Sequence, residues 1–460
     1  MDQGATEVLA AHAVAGAPAA TDHAAQVARA LVDTVAVSLA GAGEPGERIL
    51  KRWALGESPS GPSTVWTSGE KTTAAIAALI NGTAGHLLDY DDICPSTPLH
   101  PSTVLLPAMV AAAEAWGGDA ADSARFVEAY DVGAAAFRAV AEVLPQAVHY
   151  GAGWHSTSTV GRVATVAALA RLAGLDVDTT RHALGIVSSV SGGSLANFGS
   201  MTKPFHAGAA ARDAVMAVEL ARDGFTANPE ELEAATGYFS RFGDPSQGPP
   251  GALAETLGER LEYWTDAWDQ EWGFKQYPSC YGTHRGIDAM MELSRDAPAD
   301  LPVAVRATLH LRGTRPLRKS APTTATEAKF SLEYTMAVAY LRGKVGLLDF
   351  TDAAFGDAEV HDLMGRATVT EAEVPPVGPE EYTYGFTVVE VDYPDGTTRH
   401  SRVEVTHGTA LDPLTDAELR AKAEDCLAAG GYAPELAGEL IAAIQAEPGP
   451  AFTSTIPRRD

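Results

Sequence analysis

Two lysines draw notice because the chain has so few: eight lysines stand against 25 arginines in 460 residues. Lys203 lies in NFGSMTKPFHAGAAARDA, and the proline after it disfavours helix at the preceding residue, so the chain is expected to turn before a helix that starts near Phe205 or His206. Lys275 lies in WGFKQYPSCYGTHRG, another Gly/Pro/aromatic turn ahead of a helix. An ammonium near the amino end of a helix joins backbone N–H groups and the helix dipole in favouring an anion. Two of them would make a cationic pocket suited to a carboxylate. Taken singly, either lysine is more often a solvated surface charge. His206 could equally cap the helix start, and His284 and Arg285 could be ordinary first-turn residues.

The segment NGTAGHLLDYDDICPSTPLHPSTVLLPA (81–108) places Asp89, Asp91 and Asp92 at a helix end, then a Pro-rich loop, then His100 just before Pro101 opens the next helix. Carboxylates there oppose the helix dipole, so the cluster calls for a compensating cation or a function. The blander alternative has Asp91 or Asp92 bonded to loop amides, and it is the reading taken for Asp92. His155, in GAGWHSTSTVGRVATVAALARLAGLD (151–176), stands in a Gly-rich approach to an Ala-rich helix. An imidazole there can exchange protons near neutral pH, although a buried structural histidine fits the segment equally well. Asp89, Asp91, His100 and His155 could ligate a divalent metal, but no spacing such as HExxH is present, and no metal or other cofactor is assigned. GxSxG, Walker and strand-following GxGxxG patterns are also missing, which removes serine hydrolase, P-loop and Rossmann readings. GAGEPGE (41–47) follows a helix and reads as a turn.

These residues must be held by elements, and the elements are mostly helices. Residues 23–43 carry apolar positions at helical spacing and stop at glycine. Similar patterns recur at 73–89, 103–116, 121–143, 159–173, 178–191 and 206–223. Strand signals are confined to 302–313, 366–374, 382–393 and 399–408, rich in Val, Thr and Tyr, and one small antiparallel sheet would use them all. The Gly/Pro-rich stretch between 240 and 256 reads as a surface loop, and helices return at 415–431 and 433–447. The expected fold is mainly α with a smaller α+β domain. Its large all-helical domain is discontinuous, built from 1–270 and 412–460, with an α+β domain over 271–411 inserted.

Composition excludes several functions. A formal charge of −27 and 46% apolar content describe a chain that can bury a large core and repels nucleic acid and anionic lipid. No run of 18 uncharged apolar residues and no basic start before an apolar stretch occur, so neither a membrane span nor a signal peptide is expected and the cytoplasm is the expected compartment. Three separated cysteines, Cys94, Cys280 and Cys426, suit neither a disulfide framework nor a zinc cluster.

Seven segments resemble, in order, the signatures of the MmgE/PrpD family: LVDTVAVSLAG (31–41), NGTAGHLLDYDD with HPST (81–103), GWHSTSTVGRVATVAALARLAGLD (153–176), MTKPFHAGAAARDAV (201–215), GFTANPEELEAATGYF (224–239), KQYPSCYGTHRGID (275–288) and AKFSLEYTMAVAYLRGK (328–344). DPLTDAEL (412–419) resembles the family's return to its helical domain. The resemblance covers nearly the whole chain. It implies a helical domain from both chain ends, an α+β lid, a homodimer, an active site between the domains and no required cofactor. Members include dehydratases, decarboxylases and an epimerase of small carboxylates. The family's catalytic set falls on Asp89, His100, His155, Lys203, Lys275 and Tyr334, with His206 and Ile93 beside the substrate. Ile93 is a departure, because dehydratase and decarboxylase members often carry Thr there, and the loop before His100 also differs.

The resemblance implies proton abstraction beside a carboxylate, which needs a base and cations to stabilise an enediolate-like dianion. Lys203 and Lys275 would bind and stabilise charge, His155 and His100 would move protons, Asp89 would orient a histidine or handle a proton, and Tyr334 would donate near the leaving group. A lyase follows, by dehydration or decarboxylation. The alternatives are an epimerase using the same carbanion, a metal-dependent lyase or hydrolase, and a non-catalytic carboxylate-binding protein.

Overall fold

The computed structural model describes residues 3–16, 23–97, 99–243, 250–295, 297–318 and 320–458. It divides into two compact units, Met1–Phe274 with Thr415–Asp460, and Lys275–Leu414. The architecture is mainly α with a smaller α+β part, as the periodicity predicts.

The first unit is helical. Its long helices are His23–Ala40, Ala74–His86, Ser102–Trp116, Ser123–Val143, Ser156–Ala173, Val177–Ser189 and Thr202–Arg222. Alanine and glycine let them pack closely on nearly every side. Ala74–His86 packs closely on Thr202–Arg222, where a side-chain carbon added at Gly208 would lie 2.2 Å from the Leu79 carbonyl oxygen. Only a residue without Cβ fits such a crossing. Asp416–Ala429 and Leu436–Ala446 pack against His23–Ala40 from the far end of the chain. The first of them opens with a capping box in which Thr415 and Glu418 satisfy each other's backbone N–H groups.

Several local expectations are corrected. The Lys203 helix begins at Thr202, not near Phe205 or His206, because Pro204 falls in the first turn, where no intrahelical N–H donor is needed. The helix Pro250–Thr265 begins inside the expected 240–256 loop, while 244–249 lie outside the described residues. The GAGEPGE turn ends at Pro45, which opens a helix to Glu57. Strands also occur early, as the ribbon β1 (Ser63–Thr64) and β2 (Lys71–Thr72).

The second unit is built on β3 (Ala304–His310), β4 (Ala367–Ala372), β5 (Thr387–Asp392) and β6 (Thr398–Val403), in the order β4-β3-β5-β6. All four signalled strands join this sheet, but it is mixed and not antiparallel, since β3 and β4 run parallel. The reason is the connection: the chain between them passes through Leu332–Arg342 and Ala358–Gly365, a helical crossover that returns it in the same direction. Helices His284–Ser294 and Leu332–Arg342 share one apolar core with the sheet. Among the described residues no single helix is long and apolar enough to cross a membrane.

Candidate active site

The site residues of the first unit are set by three chain segments. The Ala74–His86 helix ends on His86, and the chain then makes a turn in which Asp89 has φ 53°. Asp is one of the few side chains that tolerates this left-handed conformation. The turn sends neighbouring carboxylates to different partners. Asp89 Oδ2 accepts from Lys203 Nζ at 2.9 Å, and Asp89 Oδ1 lies 4.0 Å from His100 Nε2. Asp91 Oδ2 lies 2.8 Å from His86 Nδ1 and 3.2 Å from His100 Nδ1.

The second segment is the start of the Ser156–Ala173 helix. His155 precedes it, and its backbone N–H donates to the Gly193 carbonyl. Its Nδ1 lies 3.1 Å from Nδ1 of His206, which the third segment, Thr202–Arg222, presents from the turn after Lys203. The rings close the cluster: His86 stacks on His155 at 5.9 Å and meets His100 edge-on at 4.6 Å. Lys203 sits over the Phe198 ring at 5.1 Å.

Burial and charge then fix protonation. Lys203 is 5% exposed and Lys275 2%, so neither is the solvated surface lysine that its sequence position also allowed. Burial drives His155 well below the usual imidazole range, and the nearby His86 and Lys203 add to the effect. Burial likewise takes His206 down to about 4. Both rings are therefore neutral at pH 7, and the contact between them needs one Nδ1–H to donate to the other Nδ1. The donor ring then offers a bare Nε2 as base, and its neighbour an Nε2–H. Burial alone would raise Asp91, but the His86 and His100 imidazoles outweigh it and hold the carboxyl well below its ordinary value. Asp92 goes the other way. Burial raises it well above the carboxylate range, although it accepts from the Ser102 amide at 3.2 Å and from the Ser102 hydroxyl. Its bond to the Ser102 amide is in keeping with the backbone-bonded reading of its sequence position.

His86, Asp91 and His100 bring three potential metal ligands within 4.8 Å of one another. His86 Nδ1 and Asp91 Oδ2, 2.8 Å apart, make a hydrogen bond, and His100 Nδ1 lies 3.2 Å from the same oxygen. The set is a His86–Asp91 hydrogen-bonded pair with His100 beside it. It shares only Asp91 and His100 with the ligand set weighed from sequence.

Asp89, His100, His155, Lys203 and His206 thus come together in one buried cluster. Ile93 is 2% exposed, and its backbone pairs in both directions with Gly273 at 2.8 Å. Lys275 and Tyr334 belong to the second unit. Lys275 Nζ donates to the Ser279 carbonyl, and His284 Nε2 lies 3.3 Å from the same oxygen. His284 and Arg285 do open a helix, but His284 is buried. Tyr334 donates to the Asp349 carbonyl at 2.7 Å, and burial raises its phenol to about 12. This hydroxyl ties down its own core, so a proton-donating role would require breaking that bond. Sequence reasoning passed over His86. Its only signal was its place in NGTAGHLLDYDD, five residues before Asp91.

A mainly helical unit thus carries a buried Lys203–Asp89 pair beside the neutral imidazoles of His155 and His206. Residues 7–248 match the MmgE/PrpD N-terminal domain and residues 277–446 the MmgE/PrpD C-terminal domain. The chain belongs to the MmgE/PrpD family and, with it, to the lyases. It is 27% identical to cis-aconitate decarboxylase of Homo sapiens over 86% of this chain and 81% of that protein. It is 28% identical to the cis-aconitate decarboxylase-like protein oryM of Aspergillus oryzae, over 85% and 83%. Cis-aconitate decarboxylase of Aspergillus terreus is 25% identical over 75% and 73%.

Proposed function

We propose that this lyase is a cofactor-independent decarboxylase of a small unsaturated tricarboxylate, with cis-aconitate the first substrate to test. The observation that carries the reading is the Lys203–Asp89 pair, buried among His100, His155 and His206. The named relatives supply the reaction type.

Decarboxylation breaks one C–C bond, releases CO2 and leaves an electron pair on carbon. That pair must spread onto an adjacent unsaturated carboxylate, and a proton must then reach carbon. Lys203 and Lys275 are assigned to the substrate carboxylates, where preorganised ammonium groups stabilise the spreading charge without reorganisation. His155, neutral and steered by His206, is assigned to the proton at carbon. Asp89 holds Lys203 in place, and His100 is oriented through Asp91. Tyr334 is assigned a hydrogen bond near the leaving group only if its O–H leaves the Asp349 carbonyl. Ile93, standing where dehydratase and decarboxylase members of this family often carry Thr, leaves a second reading in which the carbanion forms by removal of a C–H proton, with the carboxylate retained, and then loses hydroxide or is reprotonated on its other face.

Carbon-13 NMR of cis-aconitate turnover in deuterium oxide, with trapping of CO2, separates the readings. The expected result is one CO2 per substrate consumed and one deuterium on product carbon, unchanged after exhaustive chelation. Water loss or deuterium exchange without CO2, from this or related carboxylates, selects the second reading. No consumption and no exchange of any di- or tricarboxylate overturns both. Loss of turnover on chelation, restored by one divalent ion, returns His86, Asp91 and His100 to a metal role.

A further inference from the structure

The turn that carries Asp89 and Asp91 is held by a residue more than 300 positions away. Lys422, on the returning Asp416–Ala429 helix, is 5% exposed. Its ammonium lies 2.6 Å from Asp33 Oδ1, on His23–Ala40, and donates to the Tyr90 carbonyl at 2.9 Å. The same ammonium sits 4.0 Å from the centre of the Tyr90 ring. Tyr90 is the residue between the two carboxylates, and its carbonyl belongs to the peptide that leads into Asp91.

We propose that Lys422 is a positioning residue for the lyase reaction: anchored on Asp33, it clamps the Tyr90 peptide and so fixes the directions in which Asp89 meets Lys203 and Asp91 meets His86 and His100. The chemistry matches the task. An ammonium has three N–H donors, so one group can satisfy a buried carboxylate and still bond a carbonyl. Its charge also favours the face of an aromatic ring. Asp89 is held at positive φ by its surroundings, since that conformation is disfavoured for any residue with a side chain. A clamp on the next residue resists its relaxation. On this view the C-terminal segment completes the site as well as the helical core.

The inference rests on reading Asp89 and Asp91 as site residues, and its test has one readout that does not depend on turnover. Lys422→Met alone is expected to lower thermal stability, because it leaves the Asp33 carboxylate buried and unpaired. Asp33→Leu/Lys422→Met replaces the pair with apolar groups and is expected to recover that stability. The double variant should nevertheless lose amide-exchange protection in the peptide spanning 87–95. Its kcat on cis-aconitate should stay about 100-fold down with KM little changed, the scale of loss expected from a misplaced catalytic group. Wild-type exchange and wild-type kcat in the double variant would show a purely structural pair and overturn the proposal. If the unmodified protein turns over no carboxylate, the proposed reaction fails and the exchange result alone decides the clamp. Should the double variant not fold, Asp33→Asn/Lys422→Gln is read in the same two ways.

Discussion

At the scale of single residues, the site depends on a carboxylate in a conformation that most side chains avoid. Asp89 carries both a charge that pairs Lys203 and a backbone at φ 53°, and substitutions can separate the two. Asp89→Asn removes the charge but keeps a side chain tolerant of left-handed backbone. Asp89→Ala removes both. Turnover is expected to fall by a similar factor in each, roughly 100- to 1000-fold for loss of one element of charge stabilisation. Thermal unfolding should then place Ala about 1 kcal/mol below Asn, the cost of left-handed backbone without a compensating side chain. Equal stabilities would mean that the turn carries no strain.

At the scale of elements, the Lys203–Asp89 pair exists only because two helices approach to backbone contact. Gly208, one turn beyond Lys203, meets the Leu79 carbonyl and Thr83 of the Ala74–His86 helix, and Gly82 meets the Thr103 carbonyl and Gly208 in turn. Gly208→Ala forces this crossing apart and is expected to cost about 3 kcal/mol, the upper range for overpacking a close-packed core. The same displacement moves Lys203 off Asp89, so turnover should fall more than calorimetric stability does. Wild-type kinetics in Gly208→Ala would show that the pair tolerates a looser crossing. The helices themselves were legible in the sequence because 3.6-residue periodicity and Gly stops are local signals. The crossing was not, since an isolated glycine in a helical pattern looks only like a weak helix former.

At the scale of the whole molecule, a chain of net charge −27 keeps a small set of buried cations and neutral imidazoles together, and this makes stability depend on pH. His155 and His206 are held below the ordinary imidazole value of about 6.5 in the folded state, His206 at about 4. Between these limits the unfolded chain binds more protons than the folded one, so stability is present above about pH 6.5 and is lost as pH falls toward 4. From pH 7 to pH 5, His206 alone should account for about 1 to 2 kcal/mol. Thermal melts across that range are expected to show a smaller acid loss in His206→Gln than in the unmodified protein. An identical loss would place the titrating groups elsewhere.

The sequence by itself determined what short-range physics can encode: most of the long helices, the four strands of the sheet, the family signatures, and the residue types needed to handle a carboxylate. Tertiary structure alone decided who meets whom. Lys203 and Asp89 are 114 residues apart, and His155 and His206 are 51 apart. Lys422 reaches Tyr90 across 332 positions. The mixed sheet and the first-turn place of Pro204 belong with these, because propensity and periodicity record each segment's own preference and not its neighbours. Whether a lysine is a solvated surface charge or a buried one depends on how closely other helices approach it. Glycine and alanine permit that approach, and only the folded chain makes it.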